Sequence, residues 1–115
     1  MRKILCAALL ALTPMLAGAP AYVDGRLLMD WLNELERATR EEKTANVVSA
    51  AKAQGYIAGV SDVYDGTLLC VPKGVNTNQL AAMTAKYLRA NPEQWHYTAD
   101  QLVVQALKPT FPCAK

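Results

Sequence analysis

Apolar side chains recur at helical spacing in four stretches of this chain. The first stretch opens after Asp24, a good N-cap, and puts Leu27, Leu28, Trp31, Leu32 and Leu35 on one stripe. Asp30, Glu34, Arg37 and Glu41 fall elsewhere on that helix. The second runs from about Thr44 to Tyr64, with Val47, Val48, Ala51, Tyr56, Val60 and Tyr64 as its stripe. Gly55 and Gly59 share a face of it. A glycine in a helix interior costs about 1 kcal/mol against alanine, so the pair predicts another backbone packed very close, with a hinge as the alternative. Asp65-Gly66 ends this helix, and Pro72 and Gly74 punctuate the loop that follows. Within that loop LLCV is read as at most a short extended piece.

The third stretch opens after Asn76 or Thr77 and carries Leu80, Met83, Tyr87 and Leu88. It stops at Ala90-Asn91. The fourth is expected from Asn91-Pro92, with proline at the first helical position and Glu93 at the positive end of the helix. Trp95, Ala99, Leu102, Val103, Ala106 and Leu107 form its apolar face, and Pro109 stops it. The short link between the last two helices predicts an antiparallel hairpin. The pattern therefore predicts an all-α fold, a small bundle of about four helices.

The N-terminus changes this picture. MRK is basic, ILCAALLALTPMLA is apolar, and AGAPA places Ala19 and Ala21 before a cut at Tyr22. That is the three-part pattern of a secretory signal peptide, so residues 1–21 are expected to be removed, Cys6 with them. A retained anchor is the alternative reading. The apolar run is shorter than the roughly 20 residues of a membrane span, and no later stretch approaches that length. Residues 22–115 then form one domain with room for one modest core.

Processing also changes the charge. Arg2 and Lys3 are two of the 12 basic residues, so the remaining ten balance the ten acidic ones. Acids and bases interleave, as in ELERATREEK, which reads as a solvated helix face. A neutral chain without a clustered basic patch excludes an electrostatic footprint for nucleic acid.

Two cysteines remain, Cys70 and Cys113. An exported chain meets an oxidising compartment, where such thiols pair. The expected bridge ties the C-terminal tail to the loop after the second helix, and a bridge between two copies is the alternative. Closing so long a loop is worth roughly 4 kcal/mol in the chain-entropy model. Two cysteines and the lone His96 make a poor metal set, and neither a metal nor a cofactor is expected.

Candidate chemistry is sparse. Glu93 and His96 have the E-x-x-H spacing of di-metal bundles, but there is no second histidine. Ser49 and Ser61 fall inside a predicted helix, away from any nucleophile elbow, although His96 and Asp100 lie one turn apart. A Cys70–His96 nucleophile would be lost to a disulfide. No phosphate-binding glycine loop or calcium loop is present. Of Trp95, His96 and Tyr97, at least one must face solvent or a partner, where an aromatic makes a good contact anchor. These residues predict a small exported helical domain that is not an enzyme.

GYIAGVSD (55–62), CVPKGVNTNQL (70–80), YLRANPEQWHYTADQLVVQAL (87–107) and FPC (111–113) occur in that order. This ordered set resembles the Rap/Tai-type immunity proteins of type VI secretion systems. In one departure, Gln54 stands where that family commonly has a cysteine before G-Y-I, and its partner in the first helix is missing too. The resemblance implies a helical protein of the Gram-negative periplasm. It implies that such a protein binds and blocks a cognate peptidoglycan amidase effector, often as a homodimer, and so protects the producer and its kin. Two loops are the expected partner-binding surface: one around Asp65, Thr67 and Lys73, the other around Arg89, Asn91 and Gln94. The alternative is a non-catalytic periplasmic structural or accessory protein on the same scaffold.

Overall fold

A computed structural model describes residues 22–114. The expected signal peptide, residues 1–21 with Cys6, lies outside them, as does Lys115. Three of the four helices start where a side chain takes up an orphan N–H of the first turn. Asp24 Oδ1 accepts from the Leu27 amide at 2.9 Å and opens α1 (Gly25–Thr39). Asn46 Oδ1 accepts from the Ser49 amide at 3.1 Å and opens α2 (Val47–Tyr64). Asn76 and Gln79 form a reciprocal capping box that opens α3 (Thr77–Ala90). The last helix, α4 (Ala99–Leu107), follows Thr98, whose side chain makes no capping bond. No strand forms among the described residues; the fold is an all-α bundle closed by one disulfide.

The core is one cluster fed by every helix. Leu28 and Leu32 of α1 meet Ala53 and Ile57 of α2, Ala85 and Leu88 of α3, and Leu102, Val103 and Leu107 of α4. α1 and α2 share the most extensive interface, and α2 also packs on α3 and α4. Thr84 is fully buried and donates its hydroxyl to the Leu80 carbonyl at 2.8 Å, which satisfies it within its own helix.

α1 covers the whole predicted stripe to Leu35 but ends at Thr39, short of Glu41. The Glu41 amide donates to the Ala38 carbonyl and the Glu42 amide to that of Arg37, the double bond of a Schellman cap. Glu41 takes the left-handed position at φ 60°, where a side chain is strained and glycine is not. Glu41→Gly is therefore expected to stabilise the domain by about 1 kcal/mol, measured as a higher urea midpoint with an unchanged slope.

The fourth helix departs furthest from the pattern. Pro92–Gln94 form a separate 3₁₀ turn, and the chain is extended at Thr98 before α4 begins at Ala99. The reason lies across the molecule, at the start of α1. The Gly25 amide donates to the Tyr97 carbonyl at 3.1 Å and the Arg26 amide to the Trp95 carbonyl at 3.2 Å. The Ala99 amide in turn donates to Val23 at 3.0 Å. The two carbonyls that a continuous helix would use internally serve the unpaired first-turn donors of α1 instead. Gly25 permits this approach: a Cβ there would lie 2.8 Å from Trp95 Cα and 2.5 Å from Leu102 Cδ1.

The glycine pair of α2 corrects a second expectation. Gly55 and Gly59 do share a face, but it points outward, and a Cβ at either would meet nothing within 4 Å. The α2 stripe shifts accordingly. Its buried residues are Ala50, Ala53, Ile57, Val60 and Ser61, whereas Val47 and Val48 are 69% and 62% exposed. Small residues at 50 and 53 let α2 sit against α1, and that contact, rather than the valines, sets its rotation.

The loop after α2 is pinned at both ends. Gly66 and Gly74 take positive φ, at 82° and 96°. Leu69 is fully buried and makes a single bridge with Asp65, so LLCV is a plug rather than a strand. Cys70 is bonded to Cys113 with the Cα atoms 4.9 Å apart, and its amide donates to the Phe111 carbonyl at 2.9 Å. The pairing is within one chain.

Candidate partner-binding surface

The two expected loops differ in what their side chains are free to do. At the second, all three side chains are engaged within the chain. Arg89 makes a two-pronged pair with Glu36, both contacts at 2.7 Å, and reaches Asn33 at 3.0 Å. Its guanidinium pKa is raised, first by that hydrogen bond to Glu36. Asn91 donates its side-chain amide to the Tyr87 carbonyl at 2.8 Å, and Gln94 Oε1 accepts from the Tyr87 hydroxyl at 2.7 Å. Arg89 thus ties the α3 end to α1, and Asn91 and Gln94 tie it to the following turn.

At the first loop, Asp65 Oδ1 accepts from the Val71 amide at 3.2 Å and Thr67 donates its hydroxyl to the Tyr64 carbonyl at 3.0 Å. Lys73 is exposed and makes no ion pair among the described residues. Asp65 and Lys73 line a cleft of about 250 Å³ with Ser61, Asp62 and Thr77. Ser61 is 6% exposed, and its hydroxyl has no partner among the described residues.

That cleft flanks the outer face of α2, which the sequence did not single out as a surface. On the other flank lies a groove of about 460 Å³ lined by Gly55, Tyr56, Gly59, Val63, Tyr64 and Asp100. The two glycines form its floor, and Val63 is 74% exposed beside it. The Tyr64 hydroxyl donates to Asp100 Oδ2 at 3.2 Å. The negative charge of Asp100 raises the Tyr64 pKa, and burial, then Asp100, raises that of Tyr56. One carboxylate thus sets the field at both hydroxyls.

The candidate catalytic groups do not assemble. His96 precedes α4 instead of sharing a helix with Asp100; it is exposed and packs on Tyr97 with ring centroids 4.2 Å apart. Trp95 turns inward and donates Nε1–H to the Leu88 carbonyl at 2.7 Å. Cys70 holds no free thiol. Among the described residues, no three metal-binding side chains cluster.

The described residues thus form a small disulfide-closed helical domain with open grooves along α2. Its family follows from the sequence match: the model of the Rap1a immunity proteins matches residues 27–113, and the chain belongs to that family. The match begins in α1 and ends on the bridged Cys113, so it takes in all four helices and the disulfide. A search of curated proteins found no match. Membership brings an immunity function, exercised by binding a cognate effector.

Proposed function

We propose that this protein is a periplasmic immunity protein that binds and inhibits a peptidoglycan amidase delivered by a type VI secretion system. In this reading residues 1–21 direct export and are removed, and the domain 22–115 is the active form. The family match across the whole bundle carries the proposal. The disulfide supports it, because such a bridge persists in an oxidising compartment. Among the described residues no helix is long and apolar enough to cross a membrane. The protein acts by occlusion: a rigid surface covers the effector's active site and needs no chemistry of its own. It does so as a monomer or as a homodimer.

Capture tests the reading. Oxidised 22–115 is used as bait in lysate of the source bacterium with its secretion system expressed. The expected outcome is retention of a cell-wall hydrolase that is inactive at equimolar bait. Retention of envelope proteins alone, with the system expressed, would count against it.

A further inference from the structure

Two observations on α2 have no explanation among the described residues. Gly55 and Gly59 weaken the helix, yet no neighbour uses the space they leave. The Ser61 hydroxyl is buried at the wall of the adjoining cleft without a partner, which is costly unless something polar reaches it. Both lie on the C-terminal half of the helix, beside the exposed Val63. The charge there is one-sided. Asp62, Asp65 and Asp100 line the recesses on either flank against the single ammonium of Lys73. None of the three carboxylates has a cation within 4 Å among the described residues.

The groove between α1 and α3 is a useful contrast. It is also lined with small and apolar side chains, including Ala81, Ala82 and Ala85. Its rim charges are already matched, Glu36 by Arg89 and Arg40 by Glu42. Of these two grooves, the one on the α2 face has both an open floor and unmatched charge.

We propose that the outer face of α2 from Gly55 to Asp65 is where this protein receives its cognate toxin, with a Lys or Arg of the toxin lying over the Gly55–Gly59 floor toward Asp100. The inference rests on the immunity reading and adds the surface and the chemistry of the partner. The bare floor lets a partner backbone come to van der Waals distance. A cation there meets the Asp100 carboxylate and the faces of Tyr56 and Tyr64, a favourable setting for an ammonium or guanidinium. The Asp100 charge raises the Tyr64 pKa, which agrees with a negative field at that point. A second copy is a poorer occupant, because a two-fold contact would set the acidic patch against itself.

The test uses dye-labelled peptidoglycan sacculi, digested by the hydrolase that the oxidised wild-type protein captures. Gly59→Arg fills the floor and carries the repelling charge, and it replaces glycine with a better helix former at an open position. Melting temperature confirms that it folds. Inhibition by Gly59→Arg is expected to weaken about 100-fold, and by Asp100→Asn about tenfold, the latter loss shrinking at high salt. Ala82→Arg, in the α1–α3 groove, is expected to inhibit like wild type. Equal inhibition by wild type and Gly59→Arg would overturn the docking surface and leave the immunity reading standing. Failure of wild type to inhibit any captured hydrolase would overturn both. Loss of self-association by Gly59→Arg in sedimentation, with inhibition intact, would assign the face to a second copy and overturn the proposal.

Discussion

Removing the Cys70–Cys113 bridge is expected to lower the stability of the domain by about 2–4 kcal/mol. The bridge spans a sequence separation of 43, so its loss frees a long loop in the unfolded chain. It also releases two native contacts. Cys70 loses the short link that holds its amide at the Phe111 carbonyl, and the loop that keeps Leu69 in the core loses its outer anchor. A domain of this size has only about 5–10 kcal/mol in total, so the change is a large share of it. Urea unfolding of the oxidised protein against the Cys70→Ser/Cys113→Ser variant measures it. A midpoint unchanged within error would mean that the bridge merely decorates the tail.

Gly25→Ala is expected to cost about 2–3 kcal/mol, although alanine is the better helix former. Its Cβ would meet Trp95 Cα at 2.8 Å and the Trp95 carbonyl oxygen at 3.0 Å, both backbone atoms that cannot rotate away. Moving the 95–98 segment outward would break the bonds from Gly25 and Arg26 to Tyr97 and Trp95 and loosen Ala99 from Val23. The same substitution at Gly55 is expected to raise stability by about 0.5–1 kcal/mol, because its surroundings are open. Opposite signs for one chemical change, read from two thermal melts, would establish which glycine the fold requires.

These glycines show what could be read from the sequence. Helix propensity assigns a cost to every helical glycine but not the neighbour that offsets it. The Gly55–Gly59 spacing drew attention to a pair that faces solvent, while Gly25, the glycine with another backbone against it, gave no local signal. The start of α3 was legible from an N-cap residue, Asn76 or Thr77, and the capping box with Gln79 places it at Asn76. The start of α4 was not, because the carbonyls of Trp95 and Tyr97 are claimed by amides some seventy residues earlier in the chain. The disulfide was legible from compartment and count. For the candidate surface, the sequence located two loops but not what their side chains touch. Asp65 and Lys73 line a cleft, Arg89 ties α3 to α1, and Asn91 and Gln94 hold α3 to the turn after it. The meeting of Tyr64 with Asp100 joins positions 36 apart and depends on how α2 and α4 pack.

Protection of a living cell tests the immunity function most directly. Cells that make the captured cell-wall hydrolase in their periplasm are expected to lyse. Cells that also make this protein from its full precursor are expected to grow at the rate of cells without the hydrolase. A precursor lacking residues 1–21 is expected to give no protection, because it stays on the wrong side of the inner membrane. Lysis that proceeds unchanged with the exported, oxidised protein present in excess would contradict the account.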